Sequence, residues 1–417
     1  MKHTSLKNGA NVLSVLCTIC FASGLFPAKL PAQEAPTVTL SSPPTYTNPL
    51  GIAIGDPDVL HIPGQYYIYG TGGATFTSTN LVNWSALPNT APSTPDAWWS
   101  NSFWAPEVYA DDGKYYMFYS AQWKDNPTNE LENYRIGVAV ANNPAGPFIN
   151  VQNRPIFDPG YPIIDADVLF DTDGRIYLYY SRCCYKHSVK SQRADWAKAK
   201  GWYNNIEESW VYGVQLKQDF SGIIGHPVLL LRPPVKLSDP QSAWEDLTVT
   251  THTVDRRWTE GPSSLKHGNT YYIMYAANSV AAGGDYATGY ATSNRPLGHF
   301  KKGANNPIIY RNTASGGNVT TTGHTCWTLS PDGKEMFILY GAVVLPKNSD
   351  GTPNEVNAGI LGTPATTMPN MAPPRPRFHQ RVLFLDRLEI LPDGTLVAHS
   401  PTVTPQPYPS GATASSD

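Results

Sequence analysis

Five times along this chain one short pattern returns. A polar or acidic residue leads a few apolar residues, a tight turn and a tyrosine-rich run that ends in small residues. The copies begin Asp56-Pro-Asp-Val-Leu, Ala105-Pro-Glu-Val-Tyr, Asp165-Ala-Asp-Val-Leu, Glu260-Gly-Pro-Ser-Ser and Gly323-His-Thr-Cys-Trp. Their turns fall at Pro63-Gly64, Asp112-Gly113, Asp173-Gly174, Gly268-Asn269 and Asp332-Gly333. A glycine-containing dipeptide between two β-rich runs is a hairpin signal, because the tight turn needs φ > 0. Further strands follow most copies, such as Ile136–Ala141 and Tyr286–Ala291. The tails at 143–148 and 295–300 also resemble one another. Four strands per unit in five units predicts an all-β, five-bladed β-propeller. A helical period is suggested only near Ala194–Lys200.

A propeller must close its ring or leave raw strand edges. Thr37–Leu40 and the late runs Arg381–Leu385 and Arg387–Leu391 are candidates for that closure, with a further hairpin at Pro392-Asp-Gly. Part of the longest gap between copies, from Cys184 to about Thr250, must complete blade three, and the excess reads as an inserted surface or substrate-shaping loop. The N-terminus carries Lys2 and Lys7, an apolar run from Val12 to Phe26, then Ala28 and Ala32. That is the layout of an export signal, and the run is short for a membrane span. The expected organisation is therefore a signal peptide at 1–32, the propeller at 33–400 and a loose tail at 401–417, without a second β-sandwich domain. The mature protein is expected to be secreted or periplasmic, free of the membrane and monomeric. Of five cysteines, Cys183, Cys184 and Cys326 remain after the signal. Their odd number and their spacing fit neither a disulfide framework nor a zinc site. With a formal net charge of -3, the chain lacks the basic field that nucleic acid or an anionic membrane would require.

The innermost strand of each propeller blade lines the axis, so the leading residues of the five copies converge at one mouth. Those positions are read as Asp56, Ala105, Asp165, Glu260 and His324. Three carboxylates facing one pocket repel one another, a cost that points to chemistry. Glycosidic cleavage uses such a set: one acid protonates the leaving oxygen, and a carboxylate across the pocket activates water. Asp58, Glu107 and Asp167 share the same face one step deeper and are assigned minor or structural roles.

At these residues the sequence resembles glycoside hydrolase family 43, the β-xylosidase, α-L-arabinofuranosidase and arabinanase family. The resemblance runs from about Asn48 to at least Gly341. It rests on Asp56-Pro, on Ile164-Asp ahead of Asp171-Thr-Asp-Gly-Arg-Ile-Tyr-Leu, and on Glu260-Gly-Pro, in the family's order. Asn80-Leu-Val-Asn-Trp (with Asn in place of the usual Asp), Phe103-Trp-Ala-Pro-Glu and Gly323-His-Thr support it. The resemblance implies an inverting hydrolase of oligo- or polysaccharides. It makes Asp56 the general base, Glu260 the general acid and Asp165 the residue that orients the acid and tunes its pKa. It also implies a structural metal ion, often calcium, near His324; a buried, hydrogen-bonded histidine is the plainer alternative, and no cofactor is required for the chemistry. For the sugar, Trp104 is the first candidate platform, with Phe76, Trp98, Trp99 and Trp327 behind it. Arg381 is the candidate substrate arginine, with Arg375 and Arg377 as rivals. The main expectation is α-L-arabinofuranosidase or β-xylosidase activity. A β-galactosidase, an anhydrogalactosidase-type propeller and a non-catalytic sugar-binding propeller remain alternatives.

Overall fold

The computed structural model describes residues 43–92, 97–125, 133–183, 189–200, 205–247, 254–278, 280, 285–354 and 380–413. The expected export signal, the run Thr37–Leu40, Cys184, Arg375 and Arg377 lie outside these residues.

Five antiparallel sheets form the blades. Blade one is Asp58–Ile62, Gln65–Gly70, Ala74–Ser78 and Ser85–Ala86; blade two is Trp104–Asp111, Lys114–Gln122, Tyr134–Ala141 and Ile149–Asn150. Blade three is Ile163–Phe170, Ile176–Arg182, Trp210–Leu216 and Ile223–Leu231; blade four is Thr259–His267, Thr270–Ala277, Ala287–Ser293 and Lys301–Lys302. In blade five, Met336–Val344 pairs with both Val319–Thr320 and Thr325–Leu329, then with Val382–Ile390, which pairs with Leu396–Ala398. The two late runs read from sequence are thus one continuous strand.

The tyrosine-rich runs are the second strands, and stacking explains their composition. A second strand has a neighbouring blade on each side, so both of its faces are dry. Met117, Phe118 and Tyr119 have no exposed surface, and neither do Ile273, Met274 and Tyr275. Burying each such side chain contributes about 1.5–3 kcal/mol. Tyrosine suits this layer because its hydroxyl can reach a partner at the rim. Tyr69 donates to Pro144 O at 2.7 Å and Tyr179 to Pro296 O at 3.0 Å. Pro144 and Pro296 hold matching places in the two similar tails, so the tails serve as acceptors between adjoining blades.

The ring is closed by the N-terminal segment. Leu50 N donates to Leu383 O at 2.9 Å, Leu383 N to Ile52 O at 2.9 Å and Ile54 N to Arg381 O at 3.0 Å. Thr45–Tyr46 pairs with Gln406–Pro407. The segment expected to be a loose tail is therefore tied down through Thr413, whose carbonyl accepts from Asn80 Nδ2 at 3.1 Å. Ser410 N also donates to Glu335 at 2.7 Å.

The gap before blade four holds a helix at Gln192–Ala199, near the suggested Ala194–Lys200, capped by Ser191 Oγ. It also holds a parallel pair, Asn205–Glu208 with Val254–Arg257. There the Arg257 guanidinium contacts Glu208 and lies 2.7 Å from Asp246, with both Arg257 and Glu208 fully buried. Cys326 is a free, buried thiol. Among the described residues no helix is long and apolar enough to cross a membrane.

Candidate active site

One backbone feature repeats at the mouth. Asp56, Ala105, Asp165, Gly261 and His324 have φ of 50°, 40°, 56°, 57° and 61°. A left-handed conformation costs a non-glycine residue about 1–2 kcal/mol. In blades two, three and four the inner strand slips register at this point, between Trp104 and Glu107, Ile164 and Asp167, and Glu260 and Ser263. Such a bulge re-aims a side chain out of the ladder. It also corrects the sequence register: Gly261, not Glu260, is the blade-four counterpart of Asp56 and Asp165. Glu260 lies one residue earlier, paired with Ala276. Glycine is required at 261, since a Cβ there would sit 2.9 Å from His324 Nδ1.

Three hydroxyls hold this arrangement, each near the end of a tyrosine-rich run. Thr71 Oγ1 accepts Ala105 N–H at 3.1 Å, Ser120 Oγ accepts Asp165 N–H at 2.9 Å, and Ser181 Oγ accepts Gly261 N–H at 3.0 Å. Two of them also donate to the carboxylate of their own blade, Thr71 to Asp56 at 2.6 Å and Ser181 to Asp165 at 3.1 Å. Sequence reading noticed these small residues but gave them no role. Tyr286, which donates to Glu260 Oε1 at 3.1 Å, was missed as well.

The three acids sit in opposed electrostatic settings. Burial pushes Asp56 up. Arg381 reverses this with a two-pronged contact of 2.7 and 3.0 Å, helped by His324 at 3.4 Å and by Thr71, so Asp56 lies well below the usual carboxylate range. A Cβ at Gly55 would collide with the Arg381 guanidinium, so a glycine leaves room for that fork. Glu260 is raised well above its ordinary value, first by burial and then by the neighbouring Asp165 charge. Asp165 is raised too, by burial, against the pull of His324. One carboxylate is thus held ionised and another holds its proton, the split that acid–base chemistry requires.

A second carboxylate ring lies deeper, as the strand alternation predicted. Asp58 accepts Val108 N–H at 2.9 Å and Asp167 accepts Ser264 N–H at 3.1 Å, each from the next blade. Glu107 reaches its neighbour through Tyr109, which donates to it and accepts Val168 N–H at 2.8 Å. Burial is the main cause that lifts Asp58 to about 7 and Asp167 to about 6, and Glu107 well above its ordinary value.

The other candidates divide. Trp104 lies in blade two directly before the left-handed Ala105, half-buried, with its ring 4.3 Å from that of Tyr134. Arg381 grips Asp56. Phe76 is on the third strand of blade one, packed with Ile68, Leu81 and Val82. Trp327 donates to Ser264 O at 2.8 Å and packs with Leu265 between blades four and five. Trp98 is buried and donates to Tyr119, and Trp99 packs against Phe103. The contacts of these four are with neighbouring side chains and backbone of the blades. His324 is buried, with Nδ1 turned to Asp56. Among the described residues no three His, Cys, Asp or Glu side chains are grouped to hold a metal ion. A lone imidazole does not make an oxygen-rich calcium site.

The family model "Glycosyl hydrolases family 43" matches residues 46–359. The chain is 26% identical over 311 residues to beta-D-galactofuranosidase xynD of Aspergillus niger, spanning 68% of this chain and 72% of that protein. It is 23% identical over 352 residues to an extracellular exo-alpha-(1->5)-L-arabinofuranosidase of Streptomyces avermitilis, spanning 82% of this chain and 63% of that protein's length. A solved structure of a thermostable family-43 glycoside hydrolase superposes with a TM-score of 0.67 at 32% identity, covering 88% of this chain and 100% of that one.

Proposed function

This chain belongs to glycosyl hydrolase family 43 and is an inverting glycoside hydrolase, and we propose that it is exported and releases α-L-arabinofuranosyl or β-D-xylosyl units from plant-type or algal glycans. The observation that carries the catalytic assignment is the split between Asp56, held ionised by Arg381, and Glu260, held protonated by burial and Asp165. In this reading Asp56 takes a proton from water as the water oxygen bonds to the anomeric carbon. Glu260 gives its proton to the leaving oxygen as the glycosidic bond breaks. One displacement leaves Asp56 protonated, Glu260 ionised and the anomeric centre inverted. Exchange with solvent restores both. Asp165 supplies the negative charge that keeps the proton on Glu260, and Ser181 fixes Asp165. Trp104 provides the apolar face for the sugar ring.

The pH window follows from the shifts. Activity falls on the acid side only when Asp56 protonates, below the usual carboxylate range. It falls on the alkaline side when Glu260 ionises, above that range. The test is a screen of purified protein on aryl α-L-arabinofuranoside, β-D-xyloside, β-D-galactoside and β-D-galactofuranoside, with the product anomer followed by NMR. The galactofuranoside is included because of the Aspergillus niger relative. An inverted product from the first or second supports this reading. A product from either galactoside alone replaces the sugar assignment, and a retained anomer overturns the roles of Asp56 and Asp165.

A further inference from the structure

Around the mouth end of blade three the arginines come with acids. Arg135 lies 2.8 Å from Asp158, Arg232 2.8 Å from Glu208, and Arg257 2.7 Å from Asp246. Arg182 is the exception. It is half-buried, and among the described residues its guanidinium has neither an acid nor a hydrogen-bond acceptor; Nε is buried without a partner. It is nonetheless fixed. Its guanidinium carbon is 4.3 Å from the Tyr161 ring centroid and 5.6 Å from that of Trp210. Stacking of this kind holds the planar group while leaving its edge free to donate. The position is close to the chemistry, since Arg182 follows Ser181, which donates to Asp165, and pairs across the ladder with Ile163.

A donor fork held in place without an acceptor implies that the acceptor arrives with a ligand, because buried donors left unmade are costly. We propose that Arg182, clamped against Tyr161 and Trp210, forms a subsite for a carboxylate on the glycan, a uronate unit beside the sugar that is cleaved. This rests on the glycosidase reading above. Two parallel N–H donors match the two oxygens of a carboxylate, whereas a neutral hydroxyl uses only one of them. The subsite sets preference among glycans and takes no part in bond cleavage.

The experiment compares kcat/KM of the full protein on a uronate-bearing oligosaccharide and on the same oligosaccharide with its carboxyl reduced to the alcohol. One arm uses glucuronate-branched xylo-oligosaccharides. A second uses galacturonate-bearing arabino-oligosaccharides, which separates a branch uronate from a main-chain one. Wild type is expected to favour the acidic form roughly ten- to hundredfold in one arm, with the preference falling as salt rises. In Arg182→Gln the ratio falls to about one, and Arg182→Lys keeps part of it. Each ratio is read on a single protein, so losses of folding or turnover cancel. A wild-type ratio of one or less in both arms, or a ratio unchanged in Arg182→Gln, overturns the subsite. Should neither form be cleaved, calorimetric binding of the two oligosaccharides reads the same ratio, while the aryl glycoside screen separately decides the proposed function.

Discussion

Two rings of acids sit one above the other in this propeller, and they behave differently. The mouth acids Asp56, Asp165 and Glu260 meet a guanidinium and an imidazole, so their protonation states diverge. The deeper acids Asp58, Glu107 and Asp167 are met by backbone amides and a phenol, with no cation beside them among the described residues, and all three shift upward. Asp56 and Asp58, like Asp165 and Asp167, stand only two positions apart, yet the first of each pair joins a reactive set and the second a stitch between blades. What separates the layers is the placement of positive charge.

The largest effects test the mouth ring directly. Asp56→Ala and Glu260→Ala are each expected to lower kcat by roughly 10²–10⁴-fold. The Glu260 variant should recover much of its rate on aryl glycosides with good leaving groups, which need little protonation. Equal losses on all leaving groups would remove Glu260 from the role of acid. Next comes the cation. Arg381→Gln leaves burial to dominate Asp56, so the acid limb of the rate profile should move to higher pH, with a loss of about 10²-fold at mild acidity. An unmoved limb would mean that Arg381 does not set the charge of Asp56. Smaller again is Ser181→Ala, expected to cost roughly tenfold, as one hydrogen bond to a charged group would. Slow leaving groups should suffer most, and Ser181→Thr should restore the rate.

The smallest change in activity belongs to the deeper ring. Asp58→Asn keeps an oxygen for Val108 N–H and should leave kcat within a few-fold. Its effect is on stability. Because folding raises the Asp58 pKa to about 7, its contribution is fully present below about pH 4 and is lost as pH rises through about 7. The variant should therefore melt roughly 2–4 °C above wild type at pH 8 and show no gain at pH 4. A gain at both values would mean that repacking, not ionisation, is the cause.

The fold was legible because the repeat carries its own punctuation, a glycine turn after each axial motif and a doubly buried strand after each turn. Asp56 and Asp165 followed from that register. Glu260 was identified as a participant but misplaced by one residue, because a bulge adds a residue without leaving a mark in composition. The hydroxyls of Thr71, Ser120 and Ser181 could be seen only as small strand ends, since their partners lie on the next blade. Phe76 and Trp327 read as candidate sugar platforms in sequence because nothing local distinguishes an aromatic that meets a sugar from one that meets a neighbouring sheet, and their packing against the blades is visible only in the fold. The tail near Gln406 looked loose because its partner, Thr45–Tyr46, stands at the other end of the chain.

The contact between Asp56 and Arg381 spans 325 positions and crosses the seam where the first and last blades meet. A nascent chain therefore carries its water-activating carboxylate long before the guanidinium that keeps it charged has been made. In an unfinished or open ring that carboxylate faces water, with neither the burial nor the guanidinium that define it in the finished fold. Closing the ring and assembling the site are therefore one event, completed by the last blade.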